Sequence, residues 1–535
     1  MATSANASQR WTKSPIDAEI VAAAALLSAV LVVGLATVAD YGLTVDEFNT
    51  DDYGPKALAW YTSGFKDRSH FETVEFSLWY YGPWFHMLTA YVQSFDFADR
   101  ITVRHAMTFL VGLAGVAALL PLGRLAAGRW AGLVAIALCL MTGYFYGSLF
   151  FTPIDVPFAA VIAAGVLSGL AIATRTGGII THAYLLAALL LCAAEAFAKE
   201  GRLALRYLIE LGVRYGAAVV IAWITAVALW PWLEIGNPFT QFKTALVHFA
   251  TIPVSFEFPH WGEQISTSAL PASYVPAQLF FRLPEAFLLL LAIACIYAVA
   301  AAARLGRDAV AVEHGGRLRA AVLTIARERA MLTVCAAVIL PLAFLVLQRA
   351  TIYDGIRHVL FVIPMLAVVA GLGWRALLPL VARAPVVAAV IAGAYFGSII
   401  ATLAALHPLE YVAINALAGG TRGAYDKFEL DYWSAAATEA LRRLERRLDY
   451  DASLWPAETA PRILICIGAR EDRVQPLLRR PWIVETDPDK ADFIIATQRW
   501  RCADDKPLVL IDEIKRFDRT FAWVYARREL NGAGD

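Results

Sequence analysis

Carboxylates cluster where the chain leaves its first apolar run. The segment 41–53 follows an apolar run near 19–39, and its acids are Asp46, Glu47, Asp51 and Asp52. Desolvation at a membrane boundary can tune the pKa of a carboxyl group, so acids at this depth suit acid–base chemistry. Asp51 and Asp52 are better explained as solvated loop residues. We therefore expect Asp46 and Glu47 to carry the chemistry.

A second acid lies between two prolines. The segment 152–157 reads TPIDVP and interrupts two apolar runs, and its prolines hold the backbone around Asp155 extended. At this position Asp155 can ligate a metal, accept a hydrogen bond from a substrate hydroxyl, or cap the next helix. Capping and a functional role are compatible, and the alternatives stay open.

Two later segments place cations beside apolar runs. Arg357 and His358 end the sequence YDGIRH, and Arg282 lies in FFRLPE. A guanidinium fork pairs two phosphate oxygens and an imidazole adds a donor, which suits a phosphate site. Anchoring of a helix end by a snorkelling side chain is the alternative. Two cations on the same side favour a lipid-phosphate site, whereas the loop histidines His86 and His260 receive no role.

The composition indicates an integral membrane protein. Hydrophobic residues make up 59% and charged residues 17% of the 535 residues, with a mean hydropathy of +0.56. A soluble protein of this length needs more polar surface. The formal net charge is zero, so no global field favours nucleic acid. The six cysteines show neither a metal-ligand spacing nor a disulfide framework.

Ten apolar runs approach the ~20 residues that a helix needs to cross hydrocarbon. They lie near 19–39, 105–123, 129–149, 157–174, 179–198, 210–230, 284–303, 330–347, 358–374 and 385–406. Basic residues mark the cytoplasmic loops, so residues 1–18, with Arg10 and Lys13, are predicted inside. The predicted outside segments are 40–104, 150–156, 231–283, 348–357 and everything after His407.

The predicted crossings contain one conflict. Ten full crossings place the tail inside, whereas the basic loops require an odd number of crossings. The conflict lies between Asp155 and Arg206, where Arg175 and the stretch from Lys199 both look cytoplasmic on either side of the run 179–198. We therefore expect one of the two apolar runs there to be re-entrant or interfacial.

The composition changes after the multi-spanning part, residues 19–406. Within the extracytoplasmic region 407–535, a soluble domain is predicted from about residue 425. It has a charged helix at 434–448 and strand candidates at 462–467, 491–496 and 521–525. Strands alternating with helical segments indicate a small α/β domain, to which we assign no catalysis.

Outward acids and outward cations together suit transfer of a group from a lipid phosphate. Cations hold the phosphate leaving group while a carboxylate removes the acceptor's proton. The motifs around Asp46 and Glu47, the segment ending at Pro157, and YDGIRH resemble bacterial members of the dolichyl-phosphate-mannose–protein mannosyltransferase family. This is glycosyltransferase family 39, with the multi-spanning C-type fold. The segments 407–415, 419–420 and 429–433 add to the resemblance, which covers roughly residues 20–433.

The resemblance implies a hexosyl- or pentosyltransferase that uses a polyprenyl-phosphate sugar and inverts the anomeric carbon. It implies that Asp46 is the base, that Glu47 positions the acceptor, and that Asp155 supports the donor phosphate or a divalent metal. Arg357 and His358 fall at donor-phosphate positions, and Arg282 stands where lysine is more usual. The acceptor is a lipid, a glycan or a protein, and the implied location is the bacterial inner membrane with the site facing outward.

Two other functions remain as alternatives. A transporter or flippase of lipid-linked substrates also has many spans, but it should carry charges near the bilayer midplane and an internal repeat. Neither is clear in this sequence. The third reading makes the membrane part an anchor for a periplasmic binding module in the tail.

Overall fold

The fold is an α-helical polytopic membrane protein with a small C-terminal α/β domain, as predicted. The computed structural model describes residues 17–72, 75–164, 168–200, 205–251, 255–311, 317–348, 351–450, 455, 460–467, 474–504 and 506–527. Arg10 and Lys13, which predicted the cytoplasmic N-terminus, lie outside the described residues.

Helices make up most of the described chain. The helices before residue 252 are α1 (Ala18–Thr37), α2 (Val45–Thr50), α3 (Tyr53–Thr62), α4 (Ser69–Glu72), α5 (Trp84–Gln93), α6 (Arg100–Ala117), α7 (Leu119–Ala127), α8 (Ala131–Met141), α9 (Gly143–Phe151), α10 (Asp155–Ala164), α11 (Ser168–Ile172), α12 (Ile180–Glu200), α13 (Leu205–Ala228), α14 (Pro231–Glu234) and α15 (Pro238–Thr251). The later helices are α16 (Tyr274–Arg282), α17 (Glu285–Ala311), α18 (Arg317–Arg327), α19 (Arg329–Leu347), α20 (Val362–Val381), α21 (Pro385–Leu406), α22 (Gly420–Ala424) and α23 (Ala436–Tyr450).

The strands form two separate sheets. They are β1 (Glu257–His260), β2 (Glu263–Ser266), β3 (Arg462–Ile465), β4 (Ile483–Val484), β5 (Phe493–Thr497), β6 (Leu508–Arg516) and β7 (Arg519–Arg527). β1 and β2 make an antiparallel hairpin, and the others form a sheet in the order β4-β3-β5-β7-β6. β3 is parallel to β4 and β5, whereas β7 is antiparallel to β5 and β6.

Among the described residues, eight helical segments are long and apolar enough to cross a membrane. At ~1.5 Å per residue, each covers most or all of the ~30 Å of hydrocarbon while satisfying its own backbone hydrogen bonds. The segments are Ala18–Asp40, Arg100–Ala127, Thr176–Glu200, Leu205–Ala228, Glu285–Arg304, Arg329–Leu347, Val362–Val381 and Pro385–Leu406.

The bent pair α8 and α9 supplies a ninth crossing. The two helices meet at an angle of 73°. Just before α8, Arg129 Nη2 lies 3.7 Å from Asp17 Oδ1, at the start of the first span. In α9, the Tyr144 hydroxyl lies 2.7 Å from the hydroxyl of Tyr432, which follows the last span. The pair therefore connects opposite ends of the bundle. We call the end that contacts residues 407–527 the domain end.

The apolar run predicted at 157–174 does not cross. Its described residues form α10 and α11, which are separate short helices. Asp155, at the start of α10, and Arg175, after α11, form an ion pair with Oδ1 and Nη2 2.5 Å apart. Both ends of the segment therefore lie at the domain end. The expectation that one of the two apolar runs in this region is re-entrant or interfacial is confirmed, and that run is 157–174. Arg175, whose sequence context suggested the cytoplasmic side, lies at the same end of the bundle as Asp155.

Within the described ranges, the eight spans and the bent pair give nine crossings, which place the start of the first span and the tail at opposite ends of the bundle. The basic segments meet away from the domain end, where Arg319 Nη2 donates to the Lys199 carbonyl at 2.8 Å and Arg329 pairs with Glu195 at 2.7 Å. This is the odd number of crossings that the basic loops require.

The spans differ in how much protein surrounds them. In the most apolar stretch of α20 half of the residues are buried, and α20 packs against α8, α17 and α19. In the most apolar stretch of α21 none of the residues is buried, so α21 lies at the edge of the bundle with its apolar side chains exposed. α20 is therefore the central helix, and α21 connects the bundle to the C-terminal domain.

Two glycines bring α9 against the segment that follows α21. A Cβ added at Gly147 would lie 2.6 Å from the Tyr411 backbone nitrogen, and one at Gly143 would lie 2.8 Å from the Glu410 carbonyl oxygen. Any side chain at either position would push the two segments apart. The close approach seats Tyr144, between the two glycines, against the tail.

The soluble domain follows the sequence prediction in most of its elements. The predicted strands correspond to β3, β5 and β7, and the predicted helix corresponds to α23. The hairpin of β1 and β2 and strand β6 were not predicted. α23 packs its buried leucines against β5, β6 and β7.

Arginines fix the C-terminal domain to the ends of the first and last spans. Arg516 donates to the carbonyls of Leu406 (3.1 Å) and His407 (2.7 Å) and pairs with Glu439. Arg442 Nη1 donates to the Ala39 carbonyl at 2.9 Å. These contacts satisfy carbonyl groups at helix ends that have no partner within the helix.

The C-terminal domain contains a disulfide that was not predicted. Cys466 and Cys502, 36 residues apart, are bonded, with their Cα atoms 5.6 Å apart. The pairing was missed because two tail cysteines give no framework of spacings, and only the packing of the segment after β3 against the loop after β5 brings them together.

Loss of this disulfide should destabilise the C-terminal domain. Replacing both Cys466 and Cys502 by serine should lower its free energy of unfolding by about 2–4 kcal/mol, because the unfolded chain regains the freedom of the closed loop. Thermal unfolding of the purified protein measures the change, with Cys192→Ser in α12 as the control. Peptide mapping without reductant should recover the two tail cysteines linked. Recovery of both as free thiols would contradict the assignment.

Candidate active site

Ionised side chains gather at the domain end of the bundle. The arginines are Arg175, Arg282, Arg357 and Arg499, and the carboxylates are Asp46, Asp155, Asp354 and Glu429. We call this set the charge array. Removing an ion from water costs several kcal/mol unless a partner compensates it, so the pairing within the array determines what each group can do.

Arg357 connects two carboxylates at the centre of the array. Its Nη1 pairs with Asp46, and its Nη2 lies 3.3 Å from Asp354 Oδ2. Its side chain is 8% exposed, and its guanidinium lies over the Tyr353 ring at 4.8 Å. The arginine predicted to bind a phosphate thus holds the predicted base in this structure.

A tight turn before α20 presents Asp354 and Arg357 to the array. Asp354 (φ +59°) and Gly355 (φ +67°) both adopt the left-handed conformation. A Cβ at Gly355 would lie 3.2 Å from Arg282 Nη2. The left-handed conformation costs a residue other than glycine roughly 1–2 kcal/mol, so Asp354 needs its ion pairs to hold it there.

Asp46 is the most accessible carboxylate of the array. It lies in the first turn of α2, and its side chain is 38% exposed. The side chains of Asp155, Asp354 and Glu429 are 6%, 7% and 12% exposed. Asp46 is therefore the acid of the array that solvent reaches most easily.

Glu47 follows Asp46 in the chain, and its carboxylate binds the start of α2. Its Oε2 accepts hydrogen bonds from the Thr44 backbone nitrogen and hydroxyl, both at 3.1 Å, which completes a capping box at the start of α2. Its Oε1 lies 3.0 Å from His105 Nε2, and the residue is fully buried. The structure therefore places Glu47 outside the charge array, where its contacts hold the helix that presents Asp46.

The neighbouring acids of α2 pair away from the array. Arg104 Nη2 donates to Asp51 Oδ1 at 2.6 Å, and Lys56 pairs with Asp52. Two loop histidines also lie elsewhere: His86 packs against Tyr53, and His260 belongs to β1.

Asp155 is held by Arg175 where the re-entrant segment closes. Burial raises the pKa of Asp155, and the Arg175 guanidinium opposes that rise. The charges of Arg357 and Asp46 also act on it, which places Asp155 beside the centre of the array. As found, Asp155 is neutralised by its own partner.

Arg282 has no carboxylate within ion-pair distance in the part of the chain that the structure describes. It ends α16 and is 2% exposed. Its Nε donates to Gln278 Oε1 and its Nη1 to the Tyr411 carbonyl, each at 3.1 Å, and its guanidinium lies 4.3 Å from the Tyr144 ring centroid. Its Nη2 has no hydrogen-bond partner among the described residues. This buried cation is the member of the array that is ready to receive an anion.

His358 follows Arg357 in a short 3₁₀ turn. Its ring centroid is 4.9 Å from that of Tyr353. Burial and the Arg357 charge lower the pKa of His358, and a hydrogen bond to the Tyr353 backbone opposes that shift.

Four members of the array received no site role in the sequence analysis, namely Arg175, Asp354, Glu429 and Arg499. Arg499, in the loop after β5, places its Nη1 2.6 Å from Asp354 Oδ1 and its Nε 3.3 Å from Glu429 Oε1. Burial raises the pKa of Glu429 to about 7, and Arg499 opposes that rise. Arg499 and Asp354 are 145 residues apart, so no local pattern links them. The signal that was available was the motif at 429–433, noted only as part of a resemblance.

An apolar groove is lined in part by residues of α16, the helix that Arg282 ends. It has a volume of 270 Å³ between α16, α17, α19 and α20, and its lining includes Leu279, Leu283, Leu288, Leu342, Val346 and Leu366. Leu279 and Leu283 stand three residues before and one residue after Arg282. A buried cation and a hydrocarbon-lined groove thus share one short helix.

The array does not form a metal-binding set. Within the described ranges, no three side chains of His, Cys, Asp or Glu are grouped to hold a metal ion. Asp46 and Asp155, the acids that a divalent cation would use, are each paired with an arginine. The expectation that Asp155 supports a metal gains no support from these contacts.

Comparisons with known proteins give similarity in overall fold. No protein-family model matches the chain, and no curated protein matches it. Similar solved structures include ArnT from Cupriavidus metallidurans, bound to undecaprenyl phosphate (14% identity, 95% of this chain and 98% of that chain, TM-score 0.44) and in the apo state (12%, 95% and 97%, TM-score 0.47). The oligosaccharyltransferase AglB from Archaeoglobus fulgidus, in complex with an inhibitory peptide and a dolichol-phosphate, is 11% identical over 88% of this chain and 69% of that chain, with a TM-score of 0.38.

Proposed function

We propose that this protein is a membrane glycosyltransferase that moves a hexosyl or pentosyl group from a polyprenyl-phosphate-linked donor to an acceptor. The observation that supports it best is Arg282, a buried cation without a carboxylate partner among the described residues, on a short helix whose other residues line an apolar groove. A lipid phosphate needs both features, because its head is anionic and its tail is hydrocarbon.

The donor binds with its phosphate at Arg282. The free Nη2 donates to a phosphate oxygen, and the polyprenyl chain lies along the groove toward α19 and α20. Charge-assisted hydrogen bonds to phosphate are stronger than neutral ones, and they gain further strength where water is excluded. Arg357 and His358, which follow Gly355 along the chain, complete the phosphate contacts.

The transfer is a single displacement at the anomeric carbon. The acceptor oxygen forms the new bond to that carbon while the bond from carbon to phosphate oxygen breaks, and the configuration inverts. Asp46 takes the acceptor's proton, and the released polyprenyl phosphate keeps the electron pair, with Arg282 offsetting its added negative charge.

The remaining predicted residues position these groups. An incoming phosphate competes with Asp46 for Arg357, so donor binding releases the carboxylate to act as a base. Glu47 fixes the start of α2 and thereby the direction of Asp46, while Asp155 holds Arg175 and closes the re-entrant segment. The acceptor, a lipid, glycan or protein, approaches the exposed side of Asp46.

The domain end faces the outside of a bacterial inner membrane. The disulfide in the C-terminal domain fits an oxidising compartment, and the basic segments at the other end fit the cytoplasm.

Asp46→Asn should remove the base while preserving the size of the side chain. We expect turnover to fall about 10²- to 10⁴-fold, the usual contribution of a general base. Release of polyprenyl phosphate from a panel of synthetic polyprenyl-phosphate sugars, with membrane lipid extract as acceptor, measures it. Asp52→Asn, in the same segment but paired with Lys56, is the matched control. Turnover of Asp46→Asn within a few fold of wild type would remove Asp46 from this role.

Arg282→Gln should weaken binding of polyprenyl phosphate about 10- to 100-fold, because a charge-assisted contact and the buried positive charge are lost. Titration of the detergent-solubilised protein with polyprenyl phosphate measures the dissociation constant. Arg422→Gln, an exposed arginine at the same end of the bundle, is the control, and thermal unfolding verifies that both variants fold. Equal affinities for wild type and Arg282→Gln would place the phosphate elsewhere.

The orientation predicts a labelling pattern in intact cells. A membrane-impermeant maleimide should label Leu417→Cys, which is exposed at the domain end, without permeabilisation. Glu328→Cys, between α18 and α19, should react only after permeabilisation. The reverse pattern would overturn the orientation.

A further inference from the structure

The C-terminal domain supplies one side chain to the charge array. Arg499 follows β5, on the sheet that also carries the disulfide, yet its Nη1 lies 2.6 Å from Asp354 Oδ1 in the turn before α20. The same Nη1 donates to the Tyr432 carbonyl at 3.0 Å, and Nε lies 3.3 Å from Glu429 Oε1. The guanidinium also lies over the Phe256 ring at 4.7 Å.

These contacts fix Arg499 and direct it to one target. Its side chain is only 16% exposed, with a carboxylate on either side and an aromatic ring across its face. Because these contacts already restrict the planar guanidinium, its ion pair with Asp354 costs little additional conformational entropy. By contrast, Arg501 lies two residues further along over Trp523 and pairs only weakly, with Asp504 at 4.0 Å.

We propose that Arg499 is a positioning residue of the active site, through which the C-terminal domain holds Asp354 and thereby Arg357. Asp354 needs such support because its backbone is left-handed, and its carboxylate is shared between Arg357 Nη2 and Arg499 Nη1. With Arg499 in place, the Asp354 carboxylate is fixed between two arginines. Arg357 binds it through Nη2, which leaves Nη1 directed to Asp46. Without it, Asp354 is held by Arg357 alone, and Glu429 loses its ion-pair partner among the described residues.

The alternative is that Arg499 only docks the domain. The structure offers a matched control, because Arg442 also joins the domain to the membrane part, through the Ala39 and Asp40 carbonyls, without touching the array. If Arg499 only docks the domain, Arg442→Gln and Arg499→Gln should change amide exchange and turnover to the same extent. If Arg499 positions Asp354, Arg499→Gln should change both more than Arg442→Gln does.

The test compares Arg499→Gln, Arg499→Lys and Arg442→Gln in the full-length protein by hydrogen exchange and by turnover. Arg499→Gln should raise the exchange rate of backbone amides in 351–359 at least fivefold over Arg442→Gln, because the turn loses a tether. In the donor assay, Arg499→Gln should lower kcat at least tenfold with KM for the donor within threefold of wild type. Arg499→Lys, which keeps a charge, should recover part of kcat, and Arg442→Gln should stay within twofold of wild type.

The outcomes separate this proposal, which depends on the proposed function only for its kinetic readout, from the glycosyltransferase assignment. Equal exchange in 351–359 for the two glutamine variants would overturn positioning, whether or not any donor is turned over. Equal losses of kcat in both would assign Arg499 to docking and likewise overturn it. A wild-type protein that releases nothing from any donor would count against the glycosyltransferase, while the exchange comparison would still decide the role of Arg499.

Discussion

Charge pairing at the membrane's edge is the constraint on which this structure depends. Buried guanidinium and carboxylate groups are tolerated only when each finds a partner, and here the partners come from distant parts of the chain. The re-entrant segment returns to bring Arg175 to Asp155. After the last span, the chain forms a soluble domain that brings Arg499 to Asp354. Most of the buried charges at the domain end are thus compensated by partners from distant parts of the chain.

Near-complete pairing gives meaning to the exceptions. Arg282 lacks a carboxylate partner among the described residues and has one free N–H, and Asp46, although paired, is the carboxylate that solvent reaches most easily. Arg282 can still bind an anion, and Asp46 can accept a proton from a group that approaches through solvent. Arg357 pairs with Asp46, so in the proposed reaction the phosphate of a bound donor competes with the Asp46 carboxylate for this guanidinium. This competition links donor binding to the release of the base in the proposed reaction.

The sequence predicted those features that are written locally. Apolar runs of spanning length, the strands around 462, 493 and 521, and the acids and cations at span ends were all legible because each depends on neighbouring residues. The sequence also indicated that one of the runs 157–174 and 179–198 does not cross, but it did not show which one, because hydropathy does not distinguish a lipid-facing helix from apolar helical segments buried in protein. Arg499 and the disulfide were missed because both depend on contacts between segments far apart in sequence. The residue roles given to Asp46, Glu47, Asp155, Arg282, Arg357 and His358 remain proposals.

The re-entrant segment also constrains how the protein is assembled. Its apolar side chains from Val156 to Ala163 are buried, and α10 packs against α6 and α20 instead of standing alone in lipid. A re-entrant segment of this kind cannot insert into the bilayer as an independent span during synthesis, because helices of this length leave backbone groups unpaired in hydrocarbon. Most of this packing is against α6, which precedes it, but α20 is made some 200 residues later. The contact with α20 can therefore form only late, and the membrane part cannot complete its packing strictly in the order in which it is translated.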